Sequence, residues 1–201
     1  AIKLARKFSF DQGHPERNEI ITMHNSFHGR TLGALSATAQ KKFHTGFQPL
    51  LPGFKYVPFN NIQAVKKAIN KKTCAVLVEP IQGEGGVNVP DPSYLKNLKS
   101  LCKKNDLLLI FDEVQTGFGR TGKLFAHEIF KTKPDIMTLA KALGGGVAIG
   151  ALAATDRVMK SFVPGTHAAT FGGNPLSCAA ALATLKVITG KGFLKKASET
   201  G

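Results

Sequence analysis

The sequence predicts an α/β fold, a three-layer α/β/α arrangement around a mainly parallel sheet. Three observations predict it. Short apolar runs alternate with amphipathic helical patterns, which is the signature of βαβ units. The longest strictly apolar stretches, such as Leu107–Phe111, have the length of buried strands and fall far short of the roughly 18 residues of a membrane helix. No repeat, low-complexity tract or linker breaks the chain, whose 201 residues suffice for one full core or at most two small domains.

The expected strands are Glu19–His24, Lys55–Phe59, Cys74–Glu79, Leu107–Asp112, Ile136–Leu139 and Ile149–Ala154. Amphipathic helices are expected near Ile62–Asn70 and Ser93–Asn105, the second opened by Asp91-Pro92-Ser93, and an Ala-rich helix over Pro175–Thr189. The basic, amphipathic N-terminus resembles a transit segment but is expected to be a surface helix. Residues 1–190 are taken as one domain, and 191–201, after the turn at Gly190–Gly192, as the start of a connection to another.

Composition narrows the function classes. Lys and Arg number 27 against 13 Asp and Glu, a net charge of +14. Those charges are scattered as pairs (Lys41-Lys42, Lys66-Lys67, Lys71-Lys72, Lys103-Lys104, Lys195-Lys196), without a recognition-helix motif, an RNP-type aromatic pair or zinc spacing. A solvated basic surface is expected, with neither nucleic acid nor membrane as partner. The three cysteines, Cys74, Cys102 and Cys178, are odd in number and far apart, a pattern of reducing compartments such as the cytoplasm. His24 and His28 stand four apart but lack a third ligand, so no metal is expected.

Parallel sheets place reactive groups just beyond the carboxyl ends of their strands. Four of the expected strands run into polar clusters: Asn25–Thr31, Glu79–Gly86, Asp112–Gly117 and Ala140–Gly146. Lys141 stands among apolar neighbours with Gly144-Gly145-Gly146 behind it. Desolvation there would lower its pKa and make its amine nucleophilic, and glycines admit close backbone approach to a bulky ligand. Asp112 ends a wholly apolar strand, where an ionised carboxylate needs a cationic or donor partner. A protonated pyridine nitrogen would serve, and so would a neighbouring loop or helix to be capped. Leu107–Glu113 also looks like the magnesium strand of P-loop NTPases, and Gly117–Lys123 fits G-x-x-x-x-G-K; but Leu124 replaces the required Ser/Thr, and no strand–loop–helix separates the two. Phe27 could cover a planar ring, and Arg30 could grip a carboxylate in a bidentate fork.

Five segments in order, Ser26–Thr31, Val78–Gly86, Phe111–Gly117, Leu139–Gly146 and Thr170–Pro175, resemble the successive signatures of the class III pyridoxal-phosphate (PLP)-dependent aminotransferases. The resemblance runs over essentially the whole chain and is strongest to the acetylornithine aminotransferases of arginine biosynthesis. It implies the large domain of the fold-type I PLP-dependent transferases, working as a cytoplasmic homodimer with shared active sites. The implied reaction passes the terminal amino group of N-acetylornithine, or a related ω-amino donor, to 2-oxoglutarate. Lys141 would hold the cofactor covalently and Asp112 would pair with its pyridine nitrogen. Phe27 and Val114 would pack on its two faces, Gln115 would reach its 3′-oxygen, and Thr170 would reach the phosphate of the neighbouring subunit's cofactor. Arg30 would hold the α-carboxylate of the amino acid, Glu84 matches a gating glutamate, and Glu79 would line the same pocket. Ala168-Ala169 and Ala148 depart from the usual pattern, and a phosphate-cradling loop before Ala1 and a small domain after Gly201 are expected in a longer chain.

Overall fold

The computed structural model describes residues 1–201. Six strands form one sheet: β1 (Glu19–Met23), β2 (Phe54–Val57), β3 (Thr73–Val78), β4 (Leu108–Asp112), β5 (Ile136–Leu139) and β6 (Ala151–Ala154). Their order is β2-β1-β3-β4-β5-β6, parallel throughout except for β6, which returns antiparallel along β5.

The strands form because their residues are apolar on both alternating faces, as a sheet covered by helices on both sides requires. Ile21, Val76, Val78, Leu109 and Phe111 enter one core layer, under helices α4 (Ile62–Ala68) and α5 (Tyr94–Lys104), which contribute Val65, Leu95, Leu98 and Cys102. Ile20, Ala75, Leu77, Leu108 and Ile110 enter the other, against α1 (Ile2–Asp11) through Leu4, Ala5 and Phe8, and against α7 (Asp156–Met159) through Val158. The N-terminal segment is therefore a core-packed helix. Asn61 caps α4 by accepting from the Ala64 amide at 2.9 Å.

Shorter helices fill the connections: α2 (Leu32–Ala37), α3 (Lys41–His44) and α6 (Ala126–Ile129). The Ala-rich α8 (Pro175–Ile188) begins at Asn174, whose side chain accepts from the Ser177 amide at 2.9 Å. Gly190–Gly192 does turn the chain. Beyond it α9 (Phe193–Thr200) folds back, and Leu194 packs on the small cluster of Phe118, Leu143, Ala181 and Ile188. No single helix is long and apolar enough to cross a membrane.

Candidate active site

After β1 the chain pairs on one side, with β2, and then crosses to the other side, to β3. Loops leaving the carboxyl ends of strands diverge at such a switch point and leave a crevice. The loop after β1 (Asn25–Thr31) and the loop after β3 (Glu79–Gly86) face each other there and are tied together. The Phe27 amide donates to Glu79 Oε2 at 3.1 Å, the Gly83 amide donates to Glu79 Oε1 at 3.3 Å, and Gln82 Nε2 donates to the His24 carbonyl at 2.8 Å. Gly85 lies so close that an added Cβ would stand 2.0 Å from the Asn25 carbonyl oxygen, so only glycine fits.

Glu79 is 3% exposed, and burial pushes its carboxyl above the ordinary 4.5. Both of its oxygens are occupied by backbone amides. Those two bonds clamp the loops after β1 and β3 together and fix the backbone that carries Phe27.

Asp112 closes β4 and pairs in register with Thr138 of β5. Three donors converge on its carboxylate: His28 Nδ1 at 2.7 Å from Oδ2, with the Val114 amide at 3.2 Å and Thr138 Oγ1 at 3.1 Å from Oδ1. A carboxylate can only accept, so His28 carries its proton on Nδ1. Its Nε2 is buried and has no hydrogen-bond partner. No Arg or Lys pairs with Asp112, so the negative charge faces only hydrogen-bond donors and that imidazole.

Lys141 lies three residues beyond Thr138, two residues past the end of β5, the strand that pairs with the one Asp112 ends. It opens a short 3₁₀ turn, Lys141–Gly144, with φ 43°, a left-handed conformation rare for a residue with a Cβ. Lys141 is exposed and makes neither an ion pair nor a hydrogen bond. This corrects the expected apolar enclosure: the turn sends Leu143 into the core and leaves the lysine at the surface. Gly145, at φ 58°, would carry a Cβ 2.4 Å from Thr184 Oγ1, so this glycine lets the turn pack closely on α8, whereas a Cβ on Gly146 would meet nothing within 4 Å.

The remaining expected residues divide. Phe27 and Val114 are half-buried beside the Asp112 cluster, and Gln115 lies under Gly83, where a Cβ would stand 2.8 Å from its side chain. Arg30 is exposed, its guanidinium carbon 5.4 Å from the Phe27 ring centroid and 4.2 Å from that of Phe43. Glu84 accepts from Gln40 Nε2 and stands 3.6 Å from Lys42 Nζ. Thr170 lies apart: it is exposed, in the connection between α7 and α8, and contacts none of the others.

Three residues escaped the sequence reading. In sequence His28 stands out only as the i+4 neighbour of His24. Its link to Asp112 spans 84 positions and reaches across β3, so no local spacing announces it. Thr138 reads as one polar residue in an apolar strand. Glu113, fully buried, takes hydrogen bonds from Thr116 Oγ1 and from the Ala126 and His127 amides at 2.9 and 2.8 Å, so it anchors the following loop and the start of α6. The NTPase look-alike thereby loses its second acid, and its G-x-x-x-x-G-K segment is a run of turns with no strand or helix of its own.

Comparisons with known proteins agree with this geometry. The family description "Aminotransferase class-III" matches residues 1–201. Acetylornithine aminotransferase of Caldanaerobacter subterraneus is 55% identical over 202 residues, covering 100% of this chain and 51% of the relative. That of Methanocaldococcus jannaschii is 56% identical over 188 residues, covering 94% and 47%. The chain thus spans about half the length of these curated relatives. Among solved structures, the ornithine aminotransferase of Toxoplasma gondii superposes with a TM-score of 0.91 at 41% identity, over 98% of this chain and 47% of that one. The sheet, its loaded carboxyl edge and these matches lead to one conclusion: the chain belongs to the class III aminotransferase family.

Proposed function

We propose that the intact protein is a PLP-dependent aminotransferase that moves the terminal amino group of N-acetylornithine to 2-oxoglutarate, within arginine biosynthesis. The observation that carries the reading is the register of β4 and β5, which sets the buried, triply bonded Asp112 beside the strand that leads into the turn carrying Lys141.

The residues present fit the cofactor. Asp112 is held by three donors but faces no Arg or Lys, so a protonated pyridine nitrogen would add the full positive charge that its carboxylate lacks. Lys141 Nζ, unpaired and exposed, is free to hold the cofactor covalently. Phe27 and Val114 offer surfaces for its ring, and Gln115 offers an amide for its ring oxygen. When bound, PLP supplies an electron sink for the charge left when a proton departs from the amine-bearing carbon. The chain's own residues do the rest. Asp112, held by His28, Val114 and Thr138, keeps its negative charge at a fixed place. Lys141 Nζ takes and returns the proton. Arg30 binds a substrate carboxylate with its in-plane N–H donors. Glu79 holds the Phe27 backbone in place and would line the same pocket, and Glu84, held by Gln40 and Lys42, would be the gating carboxylate.

The donor follows curated relatives at 50–56% identity that are named acetylornithine aminotransferase. Ornithine is the second reading, favoured by the Toxoplasma gondii structure. A donor panel scored by kcat/KM tests this: N-acetylornithine is expected first, and a strong preference for 4-aminobutyrate would contradict it. We further propose a cytoplasmic homodimer in which Thr170 reaches the partner's cofactor phosphate. The exposure of Phe171, Leu176 and Leu182 at 80%, 74% and 68% supports a covered surface there. Thr170→Val is then expected to weaken PLP retention with Lys141 and Asp112 intact, and unchanged retention would remove that role.

A further inference from the structure

Arg30 is exposed, and its guanidinium is engaged by no carboxylate or carbonyl of this chain. What fixes its place is aromatic. Its carbon lies 4.2 Å from the Phe43 ring centroid and 5.4 Å from the Phe27 centroid, and those two rings meet edge to face at 5.6 Å with an interplanar angle of 79°. A cation over a ring face is attracted through the ring quadrupole, and that attraction consumes none of its N–H donors. All five therefore remain free for an incoming carboxylate.

Phe43 is itself rigidly mounted. It sits on α3, next to His44, whose buried Nε2 lies 2.7 Å from the Thr38 carbonyl and 3.1 Å from that of Leu35. Carbonyls only accept, so Nε2 donates and pins α3 to α2. The Thr38 hydroxyl in turn accepts from the His28 amide at 2.8 Å, which joins α3 to the loop that carries Arg30.

We propose that Phe43 is the positioning residue for substrate carboxylates. Its ring holds the Arg30 guanidinium in a preset place with its donors free, so the carboxylate meets an ordered fork rather than a mobile side chain. The proposal rests on the reading of Arg30 as the carboxylate anchor and adds the residue that orders it.

The test is a double-mutant cycle in the intact, cofactor-loaded protein, with glutarate affinity measured by calorimetry and KM and kcat measured alongside. Phe43→Leu, which keeps an apolar side chain but removes the ring, is expected to weaken glutarate about two- to fivefold, with the loss falling on KM more than on kcat. Phe43→Tyr, which keeps the ring, is expected to restore it. In an Arg30→Ala background, Phe43→Leu is expected to cost nothing further. An equal loss in that background would show a general packing role and overturn the proposal. So would Phe43→Leu without effect while Arg30→Ala weakens binding, an outcome that leaves the anchor standing. If Arg30→Ala itself leaves glutarate affinity unchanged, the anchor and the proposal fall together.

Discussion

The carboxyl edge of the sheet has two unlike halves. Over β1, β3 and β4 the chain completes its own contacts: Glu79 ties two loops, Gln82 holds His24, and Asp112 takes three donors. Beyond β5 the chain is open. Lys141 is unpaired at a left-handed φ of 43°, and Val163, Phe171 and Leu176 are 53%, 80% and 74% exposed. The difference separates two ways of building a site. The acidic half is preorganised by hydrogen bonds within the fold, whereas the lysine half is set by backbone conformation, with no side-chain bond of Lys141 to the rest of this chain.

Substitutions sharpen this contrast, and the largest effect belongs to the open half. Lys141→Ala is expected to lose at least the roughly 10²–10⁴-fold worth of general acid–base catalysis, with the covalent link besides; single-turnover kinetics would show it. Asp112→Asn keeps the shape of the closed half but removes its charge. It is expected to retain cofactor and lower kcat by roughly 10²-fold, and unchanged turnover would take Asp112 out of its role.

Stability should respond in the closed half. Glu113→Ala strands the Ala126 and His127 amides and is expected to cost about 3 kcal/mol by chemical denaturation, with little cost if the loop from Thr116 to Ala126 is held by other contacts.

Glu79 gives the closed half a pH signature. Burial raises its carboxyl above 4.5, so the folded protein keeps that proton to a higher pH than the unfolded chain does. As pH rises from about 4.5 to the raised value, the folded state binds more protons and this group's contribution to stability falls; above that value the cost is constant. Melting temperatures of wild type and Glu79→Gln across that window should diverge in that sense, and a constant difference would contradict the buried clamp. The smallest effect is chemical. Burial pushes Cys74 up to about 11 and Cys102 up to about 12, so neither should alkylate in the native protein at neutral pH, while the half-buried Cys178 reacts first.

Much of this was legible in the sequence. Strands buried on both faces announce themselves as apolar runs, and those expected here match the observed ones to within two residues at each end. Asp112 stood out because it ends an apolar run, and Lys141, Phe27 and Arg30 because they stand in polar clusters that follow one. The short helices α2 and α3 were not. Leu32–Ala37 holds a glycine and a serine, and its place comes from tertiary bonds such as Leu51 N–H to Ser36 Oγ at 2.9 Å. Glu113 was hidden by standing next to Asp112: strand alternation turns the two carboxylates to opposite sides, one to the site and one to the scaffold. His28 was hidden because its partner lies two strands away, a relation set by sheet order rather than by spacing.

The most direct measurement is chemical trapping in the intact protein. Borohydride reduction of the cofactor-loaded enzyme, followed by peptide mass mapping, is expected to place the pyridoxyl group on Lys141 alone. A pyridoxyl group on any other lysine, or none retained on the protein, would contradict the account.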